Sequence, residues 1–164
     1  LDKGAAITLS GGNLSLSSTG VGMTRATMSL TSGKWYWECY PTSSTANMVI
    51  GVASGSADVT EYTGQNNQSW GYYGPGNVLS NSSFIMGGQA SYTTGDTIGV
   101  AVDMGAGSVQ FYKNGSATGS ALTGLPNPLF PSSGACASGV SMTCNFGASS
   151  FNYPAPSGFN SGVY

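Results

Sequence analysis

The chain contains no histidine and little charge: four Lys and Arg against six Asp and Glu, together 6% of 164 residues. Without His there is no Ser-His-Asp or Cys-His nucleophile pair, no His-containing zinc site, and no side chain of the kind that most readily trades protons near neutral pH. So few cations leave no basic footprint for nucleic acid or an anionic membrane surface. No window approaches the roughly 20 apolar residues of a membrane-spanning helix, and no basic-then-apolar leader opens the chain. Neither nucleic-acid binding nor membrane insertion is expected, and nothing calls for a cofactor. The three Cys are an odd number. Cys39 and Cys144 fall on apolar strand faces, which favours buried thiols over a disulfide framework, and Cys136 lies at a turn. The chain begins at Leu1 without Met, which suggests processing or a segment of a longer polypeptide.

What is abundant is small and polar. Gly and Ser number 26 each, and with many Thr and Asn besides they disfavour helices and supply turns. The four strings opening at Asn13, Asn67, Asn81 and Asn114 match an N-glycosylation pattern, as so much Ser and Asn produces by chance. Hydrophobic residues still make up 40%, with 18 aromatics inside strand-like runs, so the chain is globular and not disordered. Its length suits one domain over residues 1–164, able to bury a core without staples. Residues 1–20 read as an N-terminal hairpin segment and 154–164 as a tail.

The strand Gly33-Lys-Trp-Tyr-Trp-Glu-Cys-Tyr40 organises the rest. Alternation puts Trp35, Trp37 and Cys39 on one face and Lys34, Tyr36, Glu38 and Tyr40 on the other. Two indoles on one face, each with roughly 150–250 Å² to bury, predict a central core strand. Met48-Val-Ile-Gly-Val-Ala53 is a near-continuous apolar run, predicting a mid-sheet strand covered on both faces. Ile7–Leu9 with Leu14–Leu16, and Thr97–Asp103 with Ser108–Lys113, read as hairpins, and Asn114-Gly115 is a turn pair that tolerates positive φ. With Met23–Met28, Ser69–Tyr73, Val78–Leu79, Phe84–Met86, Leu129–Pro131 and Val140–Phe146 as further strands, the prediction is an all-β fold, a two-sheet antiparallel β-sandwich.

A glycan-cleaving pair of carboxylates is the one inexpensive enzymatic reading, with Glu38, Asp58, Glu61, Asp96 and Asp103 as candidates. Each has a plainer role. Asp96 and Asp103 read as turn residues, and a covered Glu38 would need several donors or a cation such as Arg25 or Lys34. Asp58 with Glu61 is the one close acid pair, too little for a calcium site. The longest stretch without strand character, 54–69, is the first-choice surface site. It carries Asp58, Glu61, Tyr62, Gln65, Asn66 and Asn67, and Tyr92 is added as another loop aromatic suited to contact.

Taken in order, Gly33–Glu38, Ile50-Gly-Val-Ala53, Ser69-Trp-Gly71, Gly95–Val100, Asp103, Phe111-Tyr-Lys-Asn-Gly115, Leu129-Phe-Pro131 and Asn145-Phe-Gly147 resemble the SPRY family from about residue 20 to residue 160. The ending Phe146–Phe159 resembles the branch found in bacteriophage structural and tail proteins. The resemblance implies a concanavalin-like jelly-roll sandwich and a non-catalytic module that binds through loops, here about 41–47, 54–68, 87–95 and 116–127. The expected function is a virion surface protein, acting as fibre, decoration or attachment domain through contacts with other virion proteins or a host-surface receptor. It would be extracellular, and homo-oligomeric or part of a larger assembly. The alternative is a lectin-like binder of host-surface glycan through Tyr62 and the amides Gln65 to Gln68.

Overall fold

A computed structural model describes residues 2–43 and 45–163, so Leu1, Ser44 and Tyr164 lie outside the described residues. The chain-start expectation falls on Leu1, and part of the 41–47 loop falls on Ser44. In chain order β1 (Asp2–Lys3), β2 (Ile7–Ser10), β3 (Ser15–Ser18) and β4 (Gly22–Arg25) precede the indole strand β5 (Lys34–Ser43). A helical turn at Thr45–Asn47 leads to β6 (Met48–Ser54), β7 (Ser69–Tyr73), β8 (Asn77–Ser80) and β9 (Ser83–Met86). Then follow β10 (Ile98–Asp103), β11 (Ser108–Lys113), β12 (Ser116–Leu122), β13 (Leu129–Ala135), β14 (Ser141–Asn145) and β15 (Asn160–Ser161).

These strands form two antiparallel sheets packed as a sandwich. The seven-stranded sheet runs β1-β4-β13-β6-β7-β8-β9, and the other runs β12-β11-β10-β5-β14-β3-β2. Both strands predicted to be central are central: β5 lies between β10 and β14, and β6, buried along its whole length, lies between β13 and β7. Trp37 and Cys39 are buried between the sheets, where Ile50, Val52, Tyr72, Val100, Phe111 and Met142 join them. Trp35, at the strand's start, is only partly buried, and its indole N–H donates to the Ser32 carbonyl at 2.6 Å. The turn after β11 takes the expected form, with Asn114 at φ 49° and Gly115 at φ 78°, a combination β-branched residues resist.

Three strands escaped the sequence reading. β12 occupies most of the 116–127 stretch expected to be a loop. Its run Ser-Ala-Thr-Gly-Ser-Ala-Leu shows no apolar alternation because it is an edge strand with only Thr118 buried, its register set by the preceding turn. β1 pairs with β4 over two residues. β15 lies in the tail and pairs in parallel with Trp35 and Tyr36, beside the part of β5 that β14 has left unpaired. The segment leading to β15 lies over the second face of β5, where Phe151 meets the Tyr36 ring and the Asn152 and Tyr153 amides reach Glu38, which is why Tyr36 and Glu38 are as buried as Trp37.

Candidate functional site

The loop between β6 and β7 lies against the outer face of the seven-stranded sheet. Ala57 and Val59 pack on Met23 and Ala53. Thr63 is fully buried, its hydroxyl 2.8 Å from that of Ser132. A Cβ at residue 134 would stand 2.5 Å from the Thr63 backbone nitrogen, so the loop can approach β13 this closely only over a glycine.

Inside the loop the polar side chains expected to meet a partner are largely spent on one another. Asn66 donates through Nδ2 to Glu61 Oε2 at 2.6 Å, and its Oδ1 accepts from the Gln68 amide and the Ser69 hydroxyl. Gln65 Oε1 accepts from the Tyr62 amide. Gln68 Oε1 accepts from the hydroxyls of Ser54 and Ser56. Exposed Asp58 caps Thr60, whose amide and then hydroxyl hold the carboxyl below its ordinary value. Asn67 is exposed and Tyr62 half-buried. Tyr92 is corrected outright: it is 3% exposed, donates to the carbonyls of Met48 and Tyr72, and meets the Tyr72 ring edge-to-face at 5.0 Å. A tyrosine adjoining a loop turned inward because its hydroxyl found two carbonyls in the core.

Beside this braced loop stands an aromatic pair: Tyr73, marked by the sequence as a tyrosine beside a loop and suited to contact, and Phe84, which the sequence marks only as a strand residue. Phe84 on β9 is 64% exposed and stacks on Tyr73 of β7, ring centres 6.5 Å apart and planes 18° from parallel. Ile85, at a bulge next to it, is 47% exposed. Burial first, then Cys136 and Tyr62, raise the Tyr73 phenol. From 62 to 95 the chain carries no Asp, Glu, Lys or Arg. Tyr73 and Phe84, with Ile85 beside them, thus form an aromatic patch at the sheet's edge, and the loop adjoins it where the Ser82 amide and hydroxyl donate to the carbonyls of Gly64 and Gln65. A signal was present in Asn81-Ser82-Ser83 followed by Phe84-Ile85, a turn delivering two large apolar residues to a strand only four residues long.

The acids offer no comparable site. Glu38 is fully buried and each oxygen accepts two hydrogen bonds. Oε1 takes the Tyr36 hydroxyl at 3.1 Å and the Tyr153 amide at 2.9 Å, while Oε2 takes the Tyr40 hydroxyl at 2.7 Å and the Asn152 amide at 2.8 Å. Neither cation expected to serve Glu38 does so: Arg25 pairs with Asp2 and Lys34 with Asp103. Asp103 also accepts from the Gly105 and Ala106 amides, as a turn residue should. Lys34 and then the Ala106 amide hold its carboxyl low. At Asp96 burial opposes ionisation, but the Thr93 amide, Asn114 and Lys113 together outweigh it and depress the carboxyl. Among the described residues no cluster of three His, Cys, Asp or Glu could hold a metal ion.

Burial sets an alkaline limit. The phenols of Tyr36, Tyr72 and Tyr92 are raised above the usual value of 10 chiefly by desolvation, and Tyr40 is pushed up to about 12 by burial foremost. Above pH 10 the unfolded chain releases protons the folded chain keeps. The stability they contribute is therefore complete below pH 10 and is lost as pH rises beyond it. The expected result is a urea midpoint that falls steadily above pH 10, with tyrosinate absorbance appearing together with unfolding. Full tyrosine ionisation in a still-folded chain would contradict it.

Compared with known proteins, residues 34–149 match the family model described as SPRY domain. The chain is 31% identical over 164 aligned residues to a Ran-binding proteins 9/10 homolog of Drosophila melanogaster, covering 93% of this chain and 17% of that protein. It is 31% identical over 137 residues to the E3 ubiquitin-protein ligase RKP of Arabidopsis thaliana, covering 79% of this chain and 10% of the ligase. The chain thus spans less than a fifth of the length of these curated relatives. Its fold is similar to the crystal structure of the SPRY domain of human HERC1, with TM-score 0.74, 23% identity, and coverage of 85% and 91% of the two chains. The relatives are animal and plant proteins. That finding overturns the expectation of a bacteriophage virion protein on an extracellular particle surface, and the host-glycan alternative that went with it.

Proposed function

Because the chain belongs to the SPRY domain family, we propose that it is a non-enzymatic module that recognises another protein through the aromatic edge of Tyr73 and Phe84 together with Tyr62 of the adjoining loop. The observation that carries this reading is Phe84, a large ring held mostly in solvent while stacked on a second ring. Exposed rings cost solubility and return nothing to the core, so a stacked and supported one favours a contact surface. The loop from 54 to 68 supports the same reading, since its internal hydrogen bonds fix Tyr62 in place before any partner arrives and lower the ordering cost of binding. The absence of His and the commitment of Glu38, Asp96 and Asp103 to structural hydrogen bonds argue against turnover.

A yeast-displayed random peptide library selected on the intact chain tests the proposal. Peptides that bind the wild type are expected to lose about tenfold to a hundredfold in affinity for Phe84→Ala, and a similar amount for Tyr62→Ala. They should bind Val21→Ala normally, because Val21 is an exposed apolar residue leading into β4, at the far side of the sheet from β9. Phe84→Ala should leave the urea midpoint unchanged. Peptides that bind Phe84→Ala as tightly as the wild type would overturn the assignment of the surface.

A further inference from the structure

Cys39 and Cys144 stand directly opposite one another on β5 and β14. Both side chains are buried in the same inter-sheet core, and their sulfurs are in contact. Facing residues of an antiparallel pair have Cα atoms about 4.5 or 5.5 Å apart, and a disulfide spans Cα separations of about 4.4–6.8 Å. A disulfide between the two strands therefore falls within the spacing of facing residues in such a pair. Cys136 lies just beyond β13, half-buried, with its thiol pushed up to about 12 by burial.

A route to the pair exists. A cavity of about 240 Å³ lies between the sheets, its exposed rim at Gly12 and Met28 beside the β2–β3 hairpin. Leu9, Leu16, Trp37 and Phe146 line it, and Cys144 is on its wall. Cys39 lies behind Cys144 with no exposure of its own. Its thiol is held well above the ordinary range, by burial first and by Cys144 second. The outer sulfur is thus the one a small uncharged oxidant reaches.

We propose that Cys39 and Cys144 are a paired oxidation site, closing to a cross-strand disulfide when a small neutral peroxide enters the inter-sheet cavity. The Cys144 sulfur attacks one peroxide oxygen, the O–O bond breaks, and one water leaves as Cys144 becomes a sulfenic acid. The Cys39 sulfur then displaces that hydroxyl group, its proton leaving with it as a second water. Two thiols have lost two electrons and two protons, and one hydrogen peroxide has become two waters. Because the oxidant must enter a cavity of only about 240 Å³, lined mostly by apolar side chains with Arg25, Ser132 and Ser133 among them, bulky disulfides such as oxidised glutathione should react far more slowly than peroxide.

The experiment uses the full chain carrying Cys136→Ser, which leaves the core untouched and exactly one possible intramolecular pair. After hydrogen peroxide treatment under native conditions, thiols are counted in denaturant and the intact mass and peptide linkages are measured. Both thiols should disappear together with a loss of two hydrogens, a digest should yield the Cys39–Cys144 linked peptide, and a dithiol reductant should restore both. Two thiols still titrating, a mass gain of oxygen without a linked peptide, or a disulfide between two chains would each overturn the proposal.

Discussion

Trp37→Ala is expected to lower the free energy of unfolding by about 3–5 kcal/mol, the range for deleting a buried indole. Trp37 is 1% exposed, faces Val100 across the β5–β10 ladder, and packs against the Phe146 ring 6.4 Å away. It also lines the inter-sheet cavity, so truncation would enlarge a space that hydrogen-bonded strands on both sides cannot collapse to fill. Against a typical total of about 5–15 kcal/mol, a loss of that size leaves a marginal fold. Trp35→Ala should cost only about 1–2 kcal/mol, because its ring is partly buried to begin with. The comparison is made in urea, following the fluorescence of the two indoles that remain. Equal midpoints for the two variants would show that the two rings are not placed as described.

Glu38→Ala should cost roughly 3–5 kcal/mol although it removes no large apolar surface. Its two oxygens are the acceptors for the amides of Asn152 and Tyr153. A buried amide left without an acceptor costs about 1–3 kcal/mol, and here there are two. Tyr36 and Tyr40 would lose partners as well, and Tyr36 meets the tail directly through an edge-to-face contact with Phe151 at 5.3 Å. Glu38 therefore fastens the tail to β5. Hydrogen exchange at residues 152 and 153 should accelerate in Glu38→Ala along with the fall in midpoint. Glu38→Gln should be intermediate, since its amide group still accepts through one oxygen but turns its donors toward two others. A Glu38→Gln chain as stable as the wild type would refute this role.

Much of the scaffold was legible because it depends on short-range rules. Alternation at Trp35, Trp37 and Cys39 marked a core face, the apolar run from Met48 marked a strand covered twice, and Asn114-Gly115 marked a turn that only certain residues can make. β12 was missed for the opposite reason: an exposed edge strand needs no apolar alternation, so its six small residues ahead of Leu122 carry no strand signature. The tail was misread because Pro and Gly break local regularity, while its order comes from β5, more than a hundred residues away. The ordered motifs also pointed correctly to the SPRY family, but the closing residues, low charge and small polar strands misled as to source.

The candidate site shows the same division. Tyr62 could be picked out as an aromatic in a long loop, yet the amides around it looked like contact groups when they are the loop's own braces. Tyr92 looked equivalent to Tyr62 and is core. Phe84 looked like an ordinary strand residue and is the most exposed large hydrophobic side chain among the described residues. Whether a polar group or a ring faces a partner depends on what else has already bound it, and that is not a property of the residue or its immediate neighbours.

By itself the amino-acid sequence determined the secondary-structure type, the two central strands, the absence of histidine chemistry and the family. Those follow from alternation, turn stereochemistry and composition, which act over a few residues or over the chain as a whole. Only the tertiary structure decided that Glu38 holds the tail, that Cys39 faces Cys144, and that an exposed Phe84 stacks on Tyr73. Each of these joins residues brought together by sheet register, and register is settled when two faces bury each other across a fold.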